Sequence, residues 1–124
     1  STDITAYFAK CMAHYNMKDY KACIQSAENM LSVDSVNADA HYYIGASLMA
    51  EIDAMPIPNK ASSSVYRKFL SEQQSLYKKA EVQLEIYRSL APQAKQQWAP
   101  LLYKVYLALN RGKKFAEIEQ IMEQ

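Results

Sequence analysis

Apolar residues recur at helical spacing along almost the whole chain. Near the N-terminus Tyr7, Phe8, Cys11, Met12 and Tyr15 fall on one broad side of a helix, as in amphipathic helices that cover a core. Similar patterns follow as far as the C-terminus, and no segment alternates apolar and polar residues as a half-buried strand does. The pattern therefore predicts an all-α protein with six main helices.

Capping and turn residues divide this pattern into segments. Asp3 is a candidate N-cap, and "SVDSVN" separates the second segment from the third, at about 38–55. The two prolines of "PIPNKASSS" end the third segment because proline cannot continue a helix. A long fourth segment is expected over 63–90. Gly112 is the expected left-handed residue after the fifth.

Three copies of one pattern occur in these pairs of helices. The second copy consists of His41, Ile44, Gly45 and Leu48, then Tyr77, Ala80, Leu84 and Pro92. The first comprises Tyr7, Lys10, Cys11, His14, Tyr20, Cys23 and Ala27, and the third Trp98, Leu101, Leu102, Val105, Phe115, Ile118 and Met122. In this pattern the chain resembles a tetratricopeptide-repeat array, specifically the C-terminal part of a multi-repeat bacterial protein of that family. The second copy matches well, whereas Lys10 and Leu102 depart from the pattern.

The resemblance implies one domain over 1–124, built as a right-handed superhelix of three helix hairpins. The repeats would cover about 4–37, 38–94 and 95–124, with a helical insertion near 52–74. That insertion would extend the fourth helix to about 42 Å. It would be a solvated insertion, a lid over the neighbouring surface or a contact for another subunit.

The same resemblance explains a glycine inside a helix. The two helices of a repeat would cross most closely at Gly45 and Ala80, and Cys11 and Cys23 would be the equivalent pair in the first repeat. We expect these cysteines to touch, either as free thiols or as a disulfide worth about 3 kcal/mol. The expected buried positions are Tyr20, Ile44, Gly45, Leu48, Ala80, Leu84, Leu101 and Phe115.

Composition narrows the classes of partner. Fourteen basic and thirteen acidic residues leave a net charge of +1, so no overall charge favours nucleic acid or an anionic membrane. No apolar run approaches the roughly 18 residues that span a bilayer, and no membrane insertion is expected. The chain begins at Ser1 rather than Met, as expected of a processed product or an excised piece.

The residues that usually carry chemistry are sparse and scattered. His14 and His41 stand at packing positions of the repeat, and we expect them to be core or boundary histidines. There is no metal-spaced cluster of His and Cys and no phosphate-binding glycine loop. We therefore expect no catalytic residue, no metal and no cofactor.

Ten tyrosines indicate a surface for recognition instead. The resemblance places seven apolar or aromatic residues on a concave groove: Phe8, Met12, Tyr15, Tyr42, Met49, Tyr103 and Tyr106. Tyrosine and methionine suit adaptable contact surfaces, although such stripes are more often core. The basic and amide residues with which some relatives bind a chaperone's C-terminus are replaced by Phe8 and Met12, so that activity is not expected.

Two functions remain open at this stage. The first is a non-catalytic scaffold that binds a protein or peptide in the groove. The second is a structural segment, either the end of a longer solenoid or a self-association module. The resemblance further suggests a bacterial source and is compatible with the periplasm.

Overall fold

The computed structural model describes residues 3–59 and 62–124, and over these residues its regular structure is entirely helical. The helices are α1 (Ile4–Asn16), α2 (Tyr20–Val33), α3 (Ala38–Ala54), α4 (Ser63–Leu90), α5 (Lys95–Ala108) and α6 (Gly112–Glu123). The predicted all-α class is confirmed. The expected bounds of the third and fourth helices agree with α3 and α4 to within one residue.

Short polar side chains begin the first three helices. The Asp3 carboxylate accepts hydrogen bonds from the backbone N–H groups of Thr5 and Ala6, at 3.0 and 3.4 Å. Asp19 caps α2 and Asn37 caps α3 in the same manner. These contacts satisfy N–H groups that have no partner within a helix, which is why the sequence signals located the helix starts.

Helices α1 and α5 end in the same type of backbone turn. Lys18 and Asn110 adopt left-handed φ angles of 62° and 58°. One residue later, the N–H groups of Asp19 and Arg111 donate to the carbonyl five residues earlier, at 2.8 and 2.9 Å. The prediction for Gly112 is therefore wrong: Asn110, a residue type that tolerates positive φ, closes α5, and Gly112 begins α6.

Each helix packs against its neighbour in the chain. In addition, α3 contacts both α1 and α5 directly. Helix α3 therefore has the central position, in contact with α1, α2, α4 and α5. This central position explains why α3 contributes the largest number of buried residues.

Gly45 lies at the closest approach of α3 to α4. A Cβ atom added at Gly45 would lie 2.7 Å from both Cγ and Cδ2 of Leu84, and 3.6 Å from Cβ of Gln83. The expected close crossing is present, but its facing residue is Leu84 rather than Ala80. Ala80 is completely buried one helical turn earlier.

Five of the eight expected core positions are buried: Ile44, Gly45, Leu48, Ala80 and Leu84. Tyr20, Leu101 and Phe115 are only half-buried, which corrects the prediction for these three. Tyr20 is the first residue of α2. Phe115 belongs to α6, whose backbone packs closely against α5 alone. Leu101 flanks the buried stripe of α5, which runs through Trp98, Leu102 and Val105.

The two halves of α4 have different surroundings. None of its residues before Ala80 is buried, whereas Ala80, Glu81, Leu84 and Tyr87 are. The expected extension is thus helical and lies outside the core. The predicted tip, "PIPNKASSS", contains residues 60 and 61, which lie outside the described residues. None of the described helices combines the length and apolarity needed to cross a membrane.

Candidate partner-binding surface

Six aromatic residues form a continuous set of ring contacts across four helices. We call this set the tyrosine row; its members are Phe8, Tyr15, Tyr20, Tyr42, Tyr43 and Tyr87. The first two belong to α1, Tyr42 and Tyr43 to α3, and the remaining two to α2 and α4. Rings from separate helices meet here because α3 packs against α1, α2 and α4.

Tyr43 is the centre of the tyrosine row. Its ring centroid lies 6.2 Å from that of Phe8, 5.4 Å from that of Tyr15 and 5.4 Å from that of Tyr42, each in an edge-on arrangement. Tyr42 continues the row to Tyr87, at 5.0 Å. Edge-on and tilted pairs at these distances are favourable beyond the area that they bury. The rings therefore stabilise each other's positions.

Four hydroxyl groups of the row have raised pKa values and no hydrogen-bond partner among the described residues. Burial raises the pKa of Tyr15, Tyr42, Tyr43 and Tyr87 above the ordinary tyrosine value. Within residues 3–59 and 62–124, none of these four hydroxyls makes a hydrogen bond to the protein. All but Tyr87 are half-buried rather than enclosed. The row thus combines apolar ring surface with polar groups that water or a ligand can engage.

One carboxylate adds negative charge beside the row. Asp39 is exposed in the first turn of α3. Its charge is close enough to contribute, after the larger effect of burial, to the raised pKa of Tyr43 and of Tyr87. The rings themselves are also electron-rich on their faces. This part of the surface therefore favours cationic groups.

The structure brings together three of the seven predicted groove residues, namely Phe8, Tyr15 and Tyr42. Met12 is exposed on α1, one turn beyond Phe8. Tyr103 lies apart from the row, because its ring packs against Phe115 at 5.0 Å.

Met49 and Tyr106 require a correction, since exposed groove positions were expected for both. Only 4% of Met49 and 3% of Tyr106 is accessible, so neither presents a surface to a partner. Met49 lies on the central helix α3 and joins the core. The Tyr106 hydroxyl donates a 2.6 Å hydrogen bond to Glu85 of α4, which holds its ring inside the α4–α5 contact.

Sequence reasoning missed Tyr20, Tyr43 and Tyr87 as members of the surface, and it had assigned Tyr20 to the core. A single helical register assigns either Tyr42 or Tyr43 to the groove. In the structure, the two adjacent side chains contact different neighbours, α4 and α1. The pairing of Tyr42 with Tyr87 depends on the register of α3 against α4, which a local pattern does not contain.

Charged residues join α4 to α6 away from the row. Glu81, with only 7% of its area exposed, accepts two hydrogen bonds of 2.9 Å from the Arg111 guanidinium. Arg88 pairs with Glu117 at 3.0 Å and lies 4.5 Å from the Trp98 ring centroid. The two hydrogen bonds between Arg111 and Glu81 fix the orientation of the guanidinium as well as its distance from the carboxylate.

Glu85 lies between these two pairs. Its carboxylate accepts from the Tyr106 hydroxyl at 2.6 Å and from the Lys114 ammonium at 3.0 Å. Burial alone would raise the pKa of Glu85. These two hydrogen bonds and the nearby positive charges lower it by a larger amount, so the pKa lies below its ordinary value. The group is thus held in its ionised form, as expected for a structural link.

Both cysteines and His41 are buried, and His14 is half-buried. The ring nitrogens of His41 lie 2.8 Å from Oε1 of Gln83 and 3.1 Å from the Ser35 carbonyl. The half-buried His14 has a buried Nδ1 without a partner. Cys11 and Cys23 are in contact as expected, with their sulfur atoms 3.4 Å apart as free thiols. Among the described residues, no three His, Cys, Asp or Glu side chains are grouped so that they could hold a metal.

Among the clefts on the described part of the molecule are two at the ends of α5. One, of about 520 Å³, lies between the first half of α4 and Ala108 at the end of α5. The other, of about 480 Å³, lies between the start of α5 and the end of α6 and includes Ile121 and Met122. Neither cleft contains a member of the tyrosine row.

Comparison with known proteins adds no relative to this description: no protein-family model, no curated protein and no solved structure matches the chain.

Proposed function

We propose that this chain is a non-catalytic scaffold that binds a protein or peptide on the tyrosine row. In this proposal the three hairpins form a right-handed, tetratricopeptide-like superhelix, with the row on its concave side. The observation that carries the proposal is the packing of half-buried aromatic rings from several helices with unbonded hydroxyls. Core tyrosines normally find an internal hydrogen-bond partner, whereas recognition surfaces keep an apolar ring and an available polar end.

The charge beside the row narrows the chemistry of the partner. Asp39 and the tyrosine ring faces attract cations, and a desolvated ring–cation contact contributes on the order of 1–2 kcal/mol. The rings also offer apolar contact area. A peptide that combines an apolar or aromatic residue with a nearby lysine or arginine satisfies both features.

The test is selection of binding peptides from a random phage-displayed library, followed by affinity measurement on purified variants. Tyr42→Ala should weaken binding at least tenfold, because it removes a central ring of the surface. Asp39→Lys should weaken basic peptides selectively. Tyr103→Ala is the matched control, because Tyr103 is half-buried and lies outside the row.

Circular dichroism distinguishes lost binding from lost folding. Each variant should keep the helical signal of the parent at the temperature of the binding measurement. If selected peptides bind all three variants equally, the row is not the binding surface. If the library gives no specific peptide for a folded parent protein, the scaffold proposal itself fails.

A second candidate is a structural role at the end of a longer helical array or in self-association. The observation that favours it is the cleft between α5 and α6, where Met122 is exposed and Ile121 half-buried. Another repeat or another copy would cover this cleft. Sedimentation analysis of the parent and of Met122→Glu tests it: a concentration-dependent oligomer that the variant abolishes supports this role, and a monomer in both opposes self-association.

A further inference from the structure

Cys11 and Cys23 form a pair that the proposed binding function does not use. The two sulfur atoms lie 3.4 Å apart, one on α1 and the other on α2, and neither residue has any exposed area. Sulfur atoms in a disulfide are about 2.05 Å apart, so bond formation requires an approach of about 1.4 Å. That is a small adjustment for two side chains on adjacent helices.

The pair is also asymmetric in acidity. The hydrogen bond between the thiols raises the pKa of Cys11 and lowers that of Cys23, because the Cys11 S–H group stabilises a Cys23 thiolate. The thiolate is the nucleophilic form in disulfide exchange. In the closed structure Cys23 is therefore the more acidic of the two thiols.

Burial determines when the reaction can occur. A reagent in solution cannot reach either sulfur in the closed structure. Helix α1, however, contributes only one buried residue to the core, which is Cys11 itself. Helices with few buried residues open at lower free energy than the whole domain unfolds. Opening of α1 would expose both thiols together.

We infer that Cys11 and Cys23 are a reversible dithiol–disulfide site that fastens α1 to α2 when the protein meets a low-molecular-weight disulfide. The thiolate of one cysteine attacks one sulfur of the reagent, forming a mixed disulfide and releasing one thiolate. The sulfur of the other cysteine, after losing its proton, then attacks the first cysteine's sulfur and releases the second thiolate. Both cysteines are oxidised, the reagent is reduced to two thiols, and those thiols take up the two protons.

The bond would have one consequence for the tyrosine row, and this consequence rests on the proposed function. Phe8 and Tyr15 reach the row from α1. A covalent link to α2 would hold that helix in place, so oxidation would prearrange the surface that a peptide contacts.

The experiment uses the reduced protein and oxidised glutathione, with thiols counted after denaturation and the mass measured. The expected product has lost both thiols and about 2 Da, carries no adduct, melts at a higher temperature and is restored by dithiothreitol. Cys11→Ser and Cys23→Ser should give only a mixed disulfide or no product. Two titratable thiols after prolonged oxidation, or intermolecular dimers alone, would overturn the inference.

The rate of oxidation tests the route through α1. Asp3→Ala removes the cap of α1 and should speed the reaction roughly fivefold, as an ordinary cap loss implies. Asn37→Ala removes the cap of α3 and is the matched control, which should leave the rate unchanged. Equal acceleration by both variants would overturn the route through local opening. None of these measurements requires a bound peptide, so their outcome is independent of the proposed function.

Discussion

At the residue scale, Gly45 shows how a local penalty can be outweighed by packing. Glycine inside a helix costs about 1 kcal/mol relative to alanine. At Gly45 any side chain would meet Leu84, which is completely buried. Overpacking of this kind costs roughly 1–3 kcal/mol. The absence of a side chain therefore favours the folded state, although it disfavours the isolated helix.

The first prediction follows from the opposing effects of helix propensity and packing at Gly45. Gly45→Ala should lower the free energy of unfolding by about 1 kcal/mol, and Gly45→Leu by several. In a Leu84→Ala background the obstructing atoms are gone, so adding Gly45→Ala should instead raise stability by about 1 kcal/mol. Urea denaturation of the parent, Gly45→Ala, Leu84→Ala and the double variant gives the double-mutant cycle.

Gly112→Ala is the control for a general effect of replacing glycine. A Cβ at Gly112 meets no atom within 4 Å, and its φ is not positive. This variant should be neutral or slightly stabilising. If Gly45→Ala also lowers the free energy of unfolding in the Leu84→Ala background, the contact with Leu84 is not the cause of the destabilisation.

The residue scale is also where sequence reasoning was least complete. It identified a close crossing at Gly45, because only packing explains a glycine there, but not its neighbour Leu84. That identity depends on the register of two helices whose contacting residues are about 40 positions apart. It also assigned a left-handed turn to Gly112, whereas Asn110 adopts it. Both residue types tolerate such a turn, and a local pattern does not separate them.

At the element scale, α4 combines a buried half and an exposed half in one continuous helix. The sequence predicted its bounds well, because proline and serine residues mark its start and Pro92 marks its end. It did not determine what the first half contacts. Burial starts only at Ala80, where α3 and α5 pack on both sides. The first half should therefore depend on the helix itself more than on the core.

The second prediction compares proline at two exposed positions of α4. Ser71→Pro disrupts the helix in its first half and should change the global midpoint of unfolding little. Val82→Pro disrupts the same helix where it packs on the core and should lose about 3 kcal/mol or more. Thermal melting and hydrogen exchange measure the two effects. Equal global destabilisation by both would show that the first half of α4 is part of the cooperative core.

At the scale of the whole molecule, the last hairpin is held in two ways. Helix α5 packs on α3 and α4, whereas α6 reaches α4 mainly through charged side chains. The three pairs join Glu81, Glu85 and Arg88 to Arg111, Lys114 and Glu117 in parallel order. A local sequence pattern does not reveal these pairs, because the partners are 29 or 30 residues apart. Their order fixes how α6 lies along α4.

The last prediction uses pH to test this link. Tyr106→Phe keeps the ring but removes the hydroxyl that donates to Glu85. It should lower the free energy of unfolding by about 1 kcal/mol at pH 7. The pKa of Glu85 in the folded protein lies below its unfolded value, so its stabilisation is present above the unfolded pKa and is lost as pH falls through the folded pKa.

The difference between parent and variant should therefore be constant near neutral pH and shrink below about pH 4. Urea denaturation at a series of pH values measures it. Tyr103→Phe is the control, because the Tyr103 hydroxyl makes no hydrogen bond to another described residue and its removal should give a small, pH-independent change. A difference that persists unchanged under acidic conditions would show that the Tyr106 hydroxyl stabilises the fold independently of the charge on Glu85.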